Sequence, residues 1–127
     1  MLIVRDERDR RSAAQMLETL REHLISEKET SEWPGTRLLG RKKARAFKYR
    51  LNASSAQLLQ DVCSSFSNWI APNRPEDLSL LRADSTVWLG SVAHEKDVFL
   101  ELEDAELRNL ALAAPDLVKR LQVDVAT

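Results

Sequence analysis

This chain of 127 residues has one cysteine, three glycines and four prolines, and only two histidines. A lone cysteine rules out an intramolecular disulfide, so the fold must be held by packing, and a reducing compartment is the natural setting. The few glycines fall into neither a GxGxxG nor a GxxxxGK pattern, which removes the usual nucleotide-cradling loops, and no GxSxG elbow is present. Two histidines without HExxH spacing give no ready zinc set. Apolar runs are short throughout. Met1 to Val4 is the only one ahead of the charged stretch RDERDRR and is too brief for a signal-peptide core, and none approaches a membrane span. The expectation is a single cytoplasmic domain over residues 1–127, with no membrane contact and no cofactor.

Charge is what the chain has in abundance. Lys and Arg number 19 and Asp and Glu 20, so the net charge of −1 hides a segregated pattern. Residues 37–50, RLLGRKKARAFKYR, hold seven cations and no acid, while acids dominate at Glu18, Glu22, Glu27, Glu29 and Glu32 before it. They return at Glu95, Asp97, Glu101, Glu103, Asp104 and Glu106. Segregation of this kind speaks about partners more than about chemistry.

Periodicity predicts an α+β fold. A helix begins near Ser12, where SAAQ has capping-box form, and Ala13, Leu17, Leu20 and Leu24 share its apolar face. Residues 5–11 contain no breaker and can extend it upstream. Pro34 and Gly35 mark a turn. The alternation of Phe47, Tyr49 and Leu51 with Ala46, Lys48 and Arg50 then gives a strand. Gly40 to Lys43 either joins a short strand at 37–39 to it or marks a bulge in one long strand. A second helix starts near Ser54, with a wide stripe of Leu58, Leu59, Val62, Cys63, Phe66, Trp69 and Ile70. Strands are expected at 78–82, 86–92 and 98–102, and a last helix opens at Glu103 and Asp104 and is interrupted by Pro115. The order α-β-β-α-β-β-β-α, with short turns, predicts antiparallel pairing in a sheet of about four to five strands against two to three helices.

Two clusters are candidate sites. The first is a cationic ribbon of Arg37, Arg41, Lys42, Lys43, Arg45, Lys48 and Arg50, with Trp33 and Tyr49 near enough to stack on bases or anchor an interface. Its plainer reading is an edge strand whose cations discourage aggregation and pair with the chain's own acids. Trp33 could equally close one end of the core. The second cluster is His94, Glu95 and Asp97, a histidine between carboxylates after a strand, suited to general base or metal chemistry. Its plainer reading is a structural histidine beside solvated acids. Cys63, Trp69 and Trp88 lie on apolar faces and are expected in the core.

The inventory is poor for an enzyme. The leading expectation is a small non-catalytic binding protein of bacterial type, comparable with immunity proteins or antitoxins only in size and charge pattern. It would bind a protein partner or a second copy of itself. A nucleic-acid binder using residues 37–50 is the alternative, and a small enzyme using His94, Glu95 and Asp97 is a second.

Overall fold

A computed structural model describes residues 1–121. It opens on a strand that periodicity does not reveal. β1, Leu2–Val4, is only three residues long, and all three are buried. Both of its edges are paired. β5, Ala44–Tyr49, runs antiparallel to one edge with Leu2 opposite Phe47 and Val4 opposite Arg45. On the other edge, Ile3 and Glu76 exchange backbone hydrogen bonds of 2.9 and 2.8 Å, and Ser79 N donates to the Met1 carbonyl at 2.9 Å. A strand enclosed on both edges can be apolar on both faces, which leaves no alternation to read. Its side chains divide the interior: Leu2 enters a core with Leu20, Trp69 and Leu78, and Ile3 enters another with Trp33 and Ala44.

The helix expected from Ser12 is corrected in its bounds. α1, Glu7–Ser12, is capped by Asp6, whose carboxylate accepts from Asp9 N at 2.8 Å, so Ser12 ends a helix instead of starting one. α2 covers Ala14–Leu20, and a 3-10 turn at Arg21–His23 stops it before Leu24. There β2, Leu24–Thr30, begins and pairs with β5, giving the sheet order β1-β5-β2. Its sequence, LISEKET, is mostly polar because it lies at the sheet edge, and a register shift at Ile25 breaks the alternation further. β3, Glu32–Trp33, and β4, Thr36–Arg37, form a hairpin around Pro34 and Gly35, with Gly35 at φ +82° as the turn requires. Residues 38–43 follow as a loop, so Gly40 lies in a connection and not in a bulge of one long strand.

α3, Ala53–Val62, is capped by Asn52 and Ser55 in a reciprocal box, two residues before the expected cap at Ser54. It ends at Val62. Cys63 is extended and Phe66–Asn68 forms a 3-10 turn, so the stripe from Leu58 to Ile70 is not one helix. Leu58, Leu59, Val62, Cys63, Phe66 and Trp69 nevertheless converge on one core, by a turn instead of a helix face.

β6, Leu80–Leu81, β7, Val87–Val92, and β8, Asp97–Leu100, make a second antiparallel sheet in that order. α4, Asp104–Ala113, and α5, Pro115–Lys119, follow, with Pro115 at the break as the sequence indicates. Neither helix buries a residue completely. The α+β class and antiparallel pairing are as expected, with the strands shared among sheets of three, two and three. Among the described residues, no helix is long and apolar enough to cross a membrane.

The hairpin rests on the second sheet through Gly35, where a Cβ would lie 2.7 Å from Val92 Cγ2, and a second glycine makes room within that sheet. A Cβ on Gly90 would lie 2.3 Å from the Phe99 ring, which covers that position from the neighbouring strand. Replacing Gly90 with Ala should therefore lower stability by about 1–3 kcal/mol, as overpacking does, measured as a shift in the urea midpoint at unchanged slope.

Candidate functional site

The cationic segment does not fold into one ribbon. Arg37 reaches across the hairpin to Glu32 at 3.1 Å. Arg45 pairs with Glu27 of β2 at 3.3 Å, and Arg10 of α1 pairs with the same carboxylate while its guanidinium covers the Phe47 ring. These two arginines hold Glu27 below the usual carboxylate range. Lys48 donates to Ser85 Oγ at 2.8 Å. Arg41, Lys42 and Lys43, and the Arg50 guanidinium, make no salt bridge or hydrogen bond with any described residue. Within the strand, Arg45 is thus answered by β2, whereas Lys48 is not. The C-terminal acids play no part in this pairing, and Glu106 among them is bound to Arg82.

The two aromatic residues of the expected ribbon are drawn inward, Trp33 fully and Tyr49 in part. Trp33 is 6% exposed and belongs to the core, so its role as a surface anchor is corrected in favour of closing that core. Tyr49 stacks against Phe47 with ring centres 6.5 Å apart, and burial pushes its hydroxyl pKa upward. The apolar group left outside is Leu39, at 82% exposure in the loop with Arg41, Lys42 and Lys43. It drew no attention in the sequence, where it reads as part of a short strand.

A second constellation forms around Asp77, which is 1% exposed and has φ +56°. Its Oδ2 accepts from Trp33 Nε1 and its Oδ1 from Ala93 N, both at 2.8 Å. Glu76, also buried, accepts from Arg5 Nε at 2.6 Å, and the Arg5 guanidinium lies 5.1 Å from the centre of the Trp33 ring. Burial raises the Glu76 carboxyl above its ordinary pKa, the charge of Asp77 adds to the shift, and Arg5 opposes it.

His94 joins this pair. One ligand atom each from Glu76, Asp77 and His94 lies within 4.8 Å of the others. Two carboxylates and an imidazole are donors that suit a divalent cation such as zinc or manganese. Here, however, both Asp77 oxygens already accept N–H groups and Glu76 Oε1 serves Arg5, so the pair is employed in holding the fold. The expected grouping of His94 with Glu95 and Asp97 is only partly met. Glu95 Oε1 is 3.9 Å from His94 Nε2, while Asp97 stands opposite Val92 in the β7–β8 ladder. The cavities of about 370, 240 and 300 Å³ described for this fold are lined by other residues than His94, Glu95 and Asp97.

Comparison with known proteins adds no assignment: no family model, curated protein or solved structure matches this chain.

Two outcomes test the Asp77 constellation. Trp33→Phe keeps a ring beneath Arg5 but leaves a buried carboxylate oxygen without its donor, so it should cost about 1–3 kcal/mol in denaturant unfolding followed by circular dichroism. Glu76→Gln tests the titration. The folded chain holds the Glu76 proton more tightly than the unfolded chain, so wild-type stability falls as pH rises through the raised pKa. The stability difference, variant minus wild type, should therefore grow as pH rises above the ordinary glutamate range, from about pH 4 upward. A flat difference would mean that Glu76 titrates normally.

Proposed function

We propose that the chain is a non-catalytic binding protein that engages a protein partner through loop 38–43. Leu39 supplies the apolar anchor, with Arg41, Lys42 and Lys43 as its cationic surround. The observation that carries the reading is Leu39 itself, 82% exposed beside three unpaired cations, whereas Arg37 and Arg45 on either side are held by Glu32 and Glu27. An isolated exposed leucine is ordinary. One ringed by cations that have no internal partners is matched by an apolar recess with an acidic rim. Charge would steer the encounter and burial of Leu39 would slow dissociation.

A second copy of the chain is one such partner. Its acids at Glu101, Glu103 and Asp104 are exposed beside α4, whose Leu112 is 85% exposed. A regulatory partner protein of the immunity or antitoxin kind is the other form of the same reading. The nucleic-acid alternative is weaker, because burial of Trp33 and the stacking of Tyr49 on Phe47 leave phosphate contacts without base stacking. The enzyme alternative is weaker because the carboxylates nearest His94, those of Glu76 and Asp77, are already bonded to Arg5, Trp33 and Ala93.

The test is a comparison of the wild-type chain with a Leu39→Ser/Lys42→Glu/Lys43→Glu variant. Sedimentation velocity reports self-association, affinity capture with mass spectrometry reports other proteins, and fluorescence anisotropy reports DNA or RNA binding. The expected result is a protein complex weakened at least about tenfold in the variant, equivalent to ~1.4 kcal/mol. A complex indifferent to the three substitutions would overturn the proposal. So would salt-sensitive nucleic-acid binding as the only activity the variant loses.

A further inference from the structure

We propose that the cleft between α3 and residues 78–83 binds a small amphipathic organic anion, a carboxylate on an apolar body. The cavity has a volume of about 370 Å³ and its apolar wall includes Leu2, Leu20, Leu59 and Leu78. Pockets that hold small molecules begin at roughly 300 Å³ and combine such walls with a few polar groups.

The charged side chains here are of one sign. The charged side chains at the cavity are Lys48, Arg50 and Arg82, with no carboxylate among its lining residues. Arg82 is fully committed to Glu106 and to the carbonyls of Val87 and Glu101. Lys48 is held only by Ser85 Oγ, and Arg50 has no side-chain partner among the described residues, so two cations remain for an anionic head.

Two hydroxyls point to the same ligand. Ser79, 1% exposed, and Tyr49 both line the cavity, and both hydroxyl oxygens are buried without a hydrogen-bond partner. An unmatched buried hydroxyl costs about 1–3 kcal/mol, and because both oxygens are closed to water in the free chain, a bound acceptor recovers it by displacing the side chains that cover them. Hydroxyls donate and a carboxylate accepts, so the Ser79 hydroxyl suits an anionic head in a cavity lined by cations.

The tail has its own place. A second cavity of about 240 Å³ shares Leu51, Leu59, Leu78 and Leu80 with the first, and its lining, which includes Phe66 and Trp69, carries no charged residue. At the mouth of the first cavity, Ile25 and Leu51 remain 56% and 55% exposed, apolar surface that a bound hydrocarbon would cover.

Isothermal titration of the full chain with decanoate, decyl sulfate, decanol and decylamine tests the assignment. Decanoate should bind with one-to-one stoichiometry and decylamine should not. Decyl sulfate reports whether any anionic head suffices, and binding tighter than that of decanoate would overturn the carboxylate assignment. Lys48→Gln/Arg50→Gln, both at the surface, should weaken decanoate at least about tenfold while leaving decanol unchanged. Ser79→Ala should weaken decanoate severalfold without lowering the melting temperature of the free protein, since it removes an unpartnered hydroxyl. Absence of decanoate binding, or binding indifferent to the paired cation substitution, would overturn the proposal. A stable dimer that buries Leu51 and excludes decanoate would also overturn it, by showing that a second copy fills the cleft.

Discussion

The carboxylate of Asp77 is the fastening on which the rest of the structure depends. It draws Trp33 of the β3–β4 hairpin and Ala93 beyond β7 onto one buried group, and its own backbone N–H donates to the Trp69 carbonyl at 3.1 Å. Segments distant in the chain therefore meet at one residue. A buried carboxylate is expensive unless N–H donors replace water around it. Here they do, in charge-assisted bonds that are stronger than neutral ones. The left-handed backbone at Asp77 suits the residue, since aspartate tolerates this region better than most side chains. It also separates the pairing of Glu76 with Ile3 from that of Ser79 with Met1.

From this fastening the positions of loop 38–43 and of the cleft follow by geometry. Residues 76–79 close the outer edge of β1, and β1 in turn fixes β5 between itself and β2. β5 then presents different chemistry at its two ends. Its N-terminal end emerges from loop 38–43, where Arg41, Lys42 and Lys43 are unpaired. At its other end Lys48, Tyr49 and Arg50 line the cleft. The middle, at Arg45, is neutralised by Glu27. One continuous run of cations in the sequence thus becomes a surface loop, an internal ion pair and the rim of a cavity.

Much of the frame is legible in the residues. Phe47 and Tyr49 announce β5 by alternation, Pro34 and Gly35 announce a turn but not the strand before it, and Pro115 separates the last two helices. What escapes reading has a physical cause in each case. β1 is too short for periodicity and buried on both faces, while β2 is polar because it is an edge. Residues 58–70 share a core but not a helix, because contact with one core does not require one element. Asp77 resembles any solvated acid in PED. Its burial is decided by the Trp33 indole and the Ala93 amide, which no local pattern ties to it. The cleft leaves still less trace, since an unmatched hydroxyl is defined only by what fails to surround it.

Whether loop and cleft act separately turns on the strand between them. At about 3.3 Å per residue, six residues of β5 place the two ends roughly 17–20 Å apart. That exceeds the Debye length of about 8 Å at physiological salt, so the loop cations contribute little to the field at the cleft. It also exceeds the separation beyond which substitutions usually act independently. Charge removed at Lys42 and Lys43 should therefore leave the cleft's affinity for an anion nearly intact, and charge removed at Lys48 and Arg50 should leave the loop's contacts intact. If the two sets do influence one another, the influence must pass through β5 itself. Its Glu27–Arg45 ion pair, shared with Arg10 of α1, is then the element both ends would have to move.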